Sequence, residues 1–92
     1  MDRNNNNIKY IAQVIQKLKD ETQIESFIRD LLTETEIETL SKRWCILNML
    51  ANGQTQREIS KNLGVSLCKV TRGSKILKNK DSVITKFLYK EK

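Results

Sequence analysis

With 92 residues, 38% of them hydrophobic, the chain is long enough for one small domain, and its formal net charge of +6 at pH 7 favours a polyanionic partner. It has no histidine, no activated-nucleophile arrangement and no phosphate-cradling glycine loop, and its two cysteines lack metal-ligand spacing, which argues against an enzyme, a cofactor and a metal site. No apolar run reaches the length of a membrane span and the first residues lack an apolar signal core, so we expect a cytoplasmic protein with reduced thiols and no membrane partner.

The first part of the chain predicts two helices. Its polar start, residues 1–7, is expected to be disordered. Apolar residues then recur at helical spacing over residues 8–18, which predicts an amphipathic helix. Thr22 and Glu25 form a T-x-x-E capping box, in which both side chains accept a backbone N–H of the first turn, so a short second helix is expected to begin there.

A long third helix follows. Thr33 and Glu36 form another capping box, and Asn52-Gly53 is a typical helix end. Apolar residues cover more than half of the cylinder in between: Ile37, Leu40, Trp44, Ile46, Leu47, Met49, Leu50 and Ala51. Since one small domain cannot easily bury so wide an apolar surface, we expect residues 8–52 to be dimerisation helices that intertwine with a second copy.

Residues 55–77 have the pattern of a helix-turn-helix. Thr55 and Glu58 form a further capping box at the first helix, Gly64 suits the positive φ that ends it in a sharp turn, and Ser66 is a good N-cap for the second helix. One face of that second helix is apolar. The opposite face offers donors and small or apolar tips to base edges and phosphates, as a major-groove recognition helix does: Cys68, Lys69, Thr71, Arg72, Lys75 and Ile76.

Charge is distributed unevenly along the chain. Up to Leu40 there are five Lys/Arg and eight Asp/Glu, whereas from Ser41 on there are twelve and three. An ordinary helical hairpin with a solvated basic face would share the local pattern. The charge asymmetry weighs against that alternative, because it is typical of a nucleic-acid-binding half.

The chain ends in one more predicted helix. Polar residues after Leu77 interrupt the pattern, and Ser82 is a suitable cap for a helix over residues 82–90. Proline is absent and nothing indicates a strand. We therefore predict an all-α, six-helix fold in which residues 1–92 form a single domain.

One stretch of the chain is more specific than the generic helix-turn-helix. It combines LLTETEIETLSKRWCIL from Leu31, the QRE and NLG elements, and above all VTRGS at Val70–Ser74. In these features the chain resembles the tryptophan repressor family. The resemblance implies an intertwined homodimer of the Trp repressor type that binds L-tryptophan as co-repressor. It also implies repression of tryptophan-biosynthesis or uptake operons by covering a double-stranded DNA operator.

The resemblance implies a ligand site as well. Arg43 and Arg72 match two arginines that sandwich the indole ring, and Arg72 also matches the partner of the ligand carboxylate. A guanidinium suits both tasks, since it stacks on aromatic faces and holds a carboxylate with two donors. Leu32 and Thr33 match the segment whose carbonyls receive the ligand ammonium. Gly73 matches a glycine that leaves room beside the ligand.

Two ligand-site positions depart from the family pattern. Ile76 stands where the family has a serine that helps to hold the ammonium, and Lys69 stands where it has a threonine. Isoleucine offers no acceptor, and an ammonium short of one partner costs about 1 to 3 kcal/mol of binding free energy. We therefore expect weak tryptophan binding, or binding of an indole analogue such as an indole acid without the amine.

Several residues match or neighbour DNA-contact positions of the family: Gln56, Arg57, Leu67, Cys68, Thr71, Lys75 and Lys78. Arg57 is the best candidate for reading guanine, because its two donors suit O6 and N7. Thr71 and Lys78 are assigned to phosphates. Leu67 and Cys68 can touch methyl groups or bridge through water.

A second functional class stays open. The chain could be a ligand-independent helix-turn-helix module that binds DNA or docks on another protein, in which case operator affinity would not respond to tryptophan. RNA binding has less support, since RNA modules usually stack bases on aromatic residues of a sheet, and the aromatic residues here have core spacing.

Overall fold

The computed structural model of the protein describes residues 3–90, with side chains for residues 7–89, and over that range it contains six α-helices and no strand. The helices are α1 (Arg3–Lys17), α2 (Glu21–Leu31), α3 (Glu34–Ala51), α4 (Gln56–Leu63), α5 (Leu67–Lys78) and α6 (Val83–Lys90). This confirms the predicted all-α, six-helix fold, whereas the dimer stays a prediction. None of these helices is both long and apolar enough to cross a membrane. By compactness the chain divides into two units, one up to Ile37 and one from Glu38 on.

Helix α1 begins at Arg3, five residues before the first apolar residue, Ile8. Part of the segment expected to be disordered is therefore helical, while Met1 and Asp2 lie outside the described residues. The apolar stripe predicts which part of a helix can pack, not where its backbone hydrogen bonding begins. Backbone hydrogen bonding needs no such stripe, and a helix extends through polar residues at small cost once a turn exists.

The start of α2 differs from the predicted one. Asp20, not Thr22, is the N-cap, and its carboxylate accepts the Gln23 N–H at 3.0 Å. The Gln23 side chain in turn accepts the Lys19 N–H at 2.7 Å. The predicted Thr22–Glu25 box is thus wrong, because aspartate two residues earlier is at least as good a cap, and Gln23 adds a bond to the residue before that cap.

The predicted start of α3 is confirmed. Glu36 donates its N–H to the Thr33 hydroxyl at 3.1 Å, and the Glu36 carboxylate accepts the Thr33 N–H at 2.9 Å. Only Ile46 and Leu47 of this long helix are buried. Much of its apolar surface is therefore exposed within one copy of the chain.

The core of the second unit joins α3, α4 and α5. It consists of Ile46, Ile59 and Val70, each at most 2% exposed, with half-buried neighbours around them: Met49, Leu50, Leu63 and Val65. Helix α6 is attached to α5 by a hydrogen bond in which the buried Thr85 hydroxyl donates to the Ile76 carbonyl at 2.9 Å. This core holds the angle between the helices that carry the candidate site.

Candidate functional site

The turn between α4 and α5 is built around Gly64. Its φ of +66° lies in the left-handed region, which favours glycine, and its N–H donates to the Ser60 carbonyl at 3.0 Å. The Ser60 hydroxyl also donates to the Val65 carbonyl at 2.6 Å. Ser66 then caps α5 by accepting the Lys69 N–H at 3.3 Å. The predicted helix end and the predicted second cap are both confirmed.

A capping box fixes the start of α4, and buried apolar side chains hold α4 and α5 together. Thr55 and Glu58 form the predicted capping box, with reciprocal bonds of 3.1 and 3.0 Å. Ile59 of α4 and Val70 of α5 are both 0% exposed, so they pack fully into the core. Helix α5 therefore leaves the turn at an angle set by burial, with one side facing the core.

The outer side of α5 is exposed and basic. It carries four cationic side chains and no carboxylate: Lys69, Arg72, Lys75 and Lys78. Leu67, 48% exposed, and Cys68 lie on the first turn of the same helix, and Arg57 is exposed on the first turn of α4. These candidate DNA-contacting side chains are thus free to meet a partner surface, and the absence of acidic residues from α5 makes that surface attractive to a polyanion.

The remaining two DNA candidates are half-buried and bonded to each other. The Thr71 hydroxyl donates to Oε1 of Gln56 at 2.9 Å, which ties α5 to the first residue of α4. Sequence spacing gave no sign of this contact between residues far apart in the chain.

A cleft of about 220 Å³ lies between α3 and the start of α5. Its walls are formed by one face of α3, the glycine turn and the first turns of α5: Glu38, Thr39, Lys42, Arg43, Ile46, Gly64, Val65, Ser66 and Lys69. Arg43 and Lys69, two of the predicted ligand residues, thus line one cleft. Its volume is below the usual range for drug-sized ligands, so it suits a small molecule.

The remaining predicted ligand residues lie on α5 and in the link between α2 and α3. Arg72 is exposed on α5, three positions beyond Lys69, and does not line this cleft. Leu32 and Thr33 form the short link between α2 and α3. Ile76 is half-buried, and its carbonyl accepts hydrogen bonds from α6 and from the end of α5.

Gly73 is buried against α3. A Cβ atom added at this position would lie 3.0 Å from Cγ2 of Ile46 and 3.3 Å from Cδ1 of Leu50. The space beside Gly73 is therefore filled by the protein's own side chains. The absence of a Cβ atom at this position lets α5 approach α3 closely. Packing explains the glycine here, while its predicted role beside a ligand stays a prediction.

Sequence reasoning missed the charged residues that share the cleft with Arg43. Lys42 and Glu38 lie on the same face of α3, and their side chains form an ion pair of 3.7 Å. Helical spacing relates Glu38 and Lys42 to each other, because they lie four positions apart, but it does not relate either of them to Arg43. With Lys42, Arg43 and Lys69 against one carboxylate, the cleft has a net positive charge.

Comparison with known proteins gives a consistent result. The family model described as Trp repressor protein matches residues 6–92. A Trp operon repressor homolog of Chlamydia trachomatis serovar D is 38% identical over 84 residues, covering 86% of this chain and 89% of that protein. The homolog of Vibrio campbellii is 42% identical over 71 residues (76% and 71%), and that of Chlamydia caviae is 34% identical over 88 residues (95% and 87%). No solved structure matches the chain at a significant level.

Proposed function

The chain belongs to the Trp repressor family, a family of regulators rather than enzymes, and we propose that it is a sequence-specific DNA-binding repressor gated by L-tryptophan or a related indole ligand. The relatives are named for the Trp operon. By extension, the proposed targets are genes of tryptophan biosynthesis or uptake, and the proposed place of action is the cytoplasm.

The exposed basic side of α5 is the observation that carries the DNA-binding proposal. Four cations lie on a helix that packs through its other side onto the preceding helix, as in a recognition helix inserted in the major groove. Each cation that neutralises a phosphate releases counterions and steepens the salt dependence of affinity by about 0.9 in log-log slope. Affinity should therefore fall steeply with salt.

Fluorescence anisotropy tests this on a duplex that the wild-type protein selects from a randomised library. We expect Lys75→Ala to lower the log-log salt slope by about 0.9 for each copy of the chain bound. Lys17→Ala, which removes the same charge from α1, is the matched control and should leave the slope nearly unchanged. A protein that binds no duplex even at low salt would refute the proposal.

The cleft beside Arg43 supports the proposal that a small anionic or aromatic ligand binds there. An exposed guanidinium can stack on an indole face, which contributes about 0.5 to 2 kcal/mol. Because α3 and α5 form opposite walls, a ligand bound between Arg43 and Lys69 would contact both helices. Such a ligand would favour one angle of α5 over others, which is the coupling that a ligand-gated repressor needs.

The charge of the cleft favours an indole acid over tryptophan itself. Lys69 and Arg43 attract a carboxylate but repel an ammonium group, and Glu38, the one carboxylate of the cleft, is already paired with Lys42. Calorimetry should therefore find L-tryptophan no tighter than indolepropionate. Lys69→Thr removes one cation and should shift the preference toward L-tryptophan by up to about fivefold, since the interaction is solvent-exposed. L-tryptophan at least tenfold tighter than indolepropionate in the wild type would contradict this ligand preference.

Exposed apolar residues support the homodimer. Tyr10 and Ile8 of α1 are each 64% exposed, Leu31 of α2 is 53% exposed, and Leu40 of α3 is 48% exposed. In the proposed homodimer a second copy of the chain would cover such side chains, and removing apolar surface from water favours association. Sedimentation equilibrium should give a dimer, and Leu40→Glu should weaken it, whereas a monomer at micromolar wild-type concentration would contradict the proposal.

The alternative is a ligand-independent helix-turn-helix module that binds DNA or docks on another protein. One observation favours it: Arg72, the proposed partner of the ligand carboxylate, does not line the cleft that contains Arg43. Thermal melting separates the two functions, because a ligand that binds only the folded protein must raise Tm as its concentration rises. An unchanged Tm with both L-tryptophan and indolepropionate would favour the alternative.

A further inference from the structure

The hydrogen bond between Thr71 and Gln56 restricts what either side chain can offer to DNA. Among the described residues it is the one side-chain hydrogen bond that joins α4 to α5, and both partners are half-buried. The Thr71 hydroxyl is the donor and Oε1 of Gln56 is the acceptor, at 2.9 Å.

A hydroxyl group has only one proton to donate. While Thr71 donates it to Gln56, the same hydroxyl cannot donate to a phosphate, and a phosphate oxygen has no proton to give in return. A direct phosphate contact by Thr71 would require this half-buried bond to break. Thr71 is therefore poorly suited to the direct contact that its place in the motif suggests.

The same hydrogen bond fixes which end of the Gln56 amide faces α5. Its Oε1 points to Thr71 and accepts that bond, whereas its Nε2 carries two donors that have no partner among the residues the structure describes. Reading adenine through N6 and N7 needs Nε2 and Oε1 of the same amide to face the base together, so an Oε1 held toward Thr71 disfavours that pair even though the oxygen keeps a second lone pair. An amide that presents its Nε2 suits a phosphate oxygen, which accepts a hydrogen bond whatever the base sequence.

We propose that Thr71 is a positioning residue for Gln56: it turns the side-chain amide so that Nε2 donates to one backbone phosphate in each half-site, and it does not itself contact DNA. This inference rests on the proposed DNA-binding function. In this assignment, the phosphate contact of Gln56 helps to fix the position of the protein along the duplex, and Thr71 makes no direct contact with DNA.

The consequences for affinity follow from the two roles. Gln56→Ala removes a hydrogen bond to a charged acceptor and should weaken binding about tenfold to hundredfold. Thr71→Val keeps the shape but releases the amide, which must then be ordered on binding, so affinity should fall about threefold to tenfold. Thr71→Ser retains the hydroxyl and should stay within about twofold of the wild type.

A double-mutant cycle on the library-selected duplex tests the pairing, with circular dichroism melts to confirm that each variant is folded. We expect Thr71→Val to change affinity by less than about twofold when Gln56 is already alanine. Neutral methylphosphonates placed one at a time along the duplex should reveal one position whose neutralisation weakens the wild type and Thr71→Ser, but not Gln56→Ala.

Several outcomes would overturn this inference. An additive cycle, in which Thr71→Val costs the same with and without Gln56, would mean that Thr71 contacts DNA itself. If Gln56→Ala lowered affinity for the selected duplex but not for a scrambled one, Gln56 would read a base. If the wild type binds and Thr71→Val binds equally well, only the positioning role fails, whereas no binding by the wild type overturns the proposed function together with this inference.

Discussion

Replacing Gly73 with alanine adds one methyl group where α5 lies against α3. The new carbon would lie 3.0 Å from Cγ2 of Ile46 and 3.3 Å from Cδ1 of Leu50, both tighter than ordinary van der Waals contact. Ile46 is 2% exposed and branched at Cβ, so it has little room to withdraw and few rotamers to change to. The helices must therefore separate slightly to admit the methyl group.

Two opposing terms set the size of the effect of Gly73→Ala on stability. Alanine is about 1 kcal/mol more favourable than glycine inside a helix. Overfilling a packed core costs about 1 to 3 kcal/mol. The net expectation is a loss of about 1 kcal/mol in the free energy of unfolding, or about 4 to 8 °C in Tm for a domain of this size.

Urea denaturation of the ligand-free protein measures this change, and Ile46→Ala provides the matched background. Ile46→Ala alone should cost about 2 to 5 kcal/mol, because it empties part of the core. It also removes the methyl group nearest to position 73. In that background Gly73→Ala should be neutral or stabilising by up to about 1 kcal/mol, so the sign of its effect changes.

The same experiment separates packing from a ligand role for Gly73. If the space beside this glycine served a ligand rather than Ile46, Gly73→Ala would leave the ligand-free protein as stable as the wild type, or more so. That result, or an equal effect of Gly73→Ala in both backgrounds, would refute the packing explanation.

Further predictions concern the helix-turn-helix. Thr55→Ala removes the hydroxyl that accepts the Glu58 N–H and should cost about 1 kcal/mol in urea denaturation; an unchanged midpoint would contradict the capping role. Gly64→Ala meets no atom within 4 Å but must adopt φ +66°, so it should cost about 1 to 2 kcal/mol, and Gly64→Asn less; equal costs would argue against backbone strain as the cause. Arg57→Ala should lower affinity for the selected duplex more than for a scrambled one, whereas Lys78→Ala should weaken both alike; equal losses for Arg57→Ala would contradict a guanine contact.

Local signals made the helix boundaries of the second unit predictable. The Thr55–Glu58 box, the glycine at position 64 and the Ser66 cap each depend on residues within one turn of each other, so sequence alone contains their full geometry. The predicted start of α2 was wrong because two such local signals compete there. Asp20 and Thr22 are both good caps two residues apart, and the choice between them depended on Gln23.

Contacts between helices could not be predicted from local sequence patterns. The bond from Thr71 to Gln56 joins residues fifteen positions apart, and no spacing rule relates them. The close approach of Gly73 to Ile46 depends likewise on the angle between α5 and α3, which the buried core determines. Resemblance to a family indicated Arg43 and Lys69 as ligand residues. The other residues that line their cleft could be identified only from the structure.

The claim that an indole ligand gates DNA binding is tested most directly by one titration. The affinity of the wild-type protein for its selected duplex is measured without ligand, with saturating L-tryptophan and with saturating indolepropionate. Our account predicts that at least one of these ligands changes the affinity by about fivefold or more, the usual lower end of coupling between two sites. Equal affinity under all three conditions would contradict it and leave a DNA-binding module without ligand control.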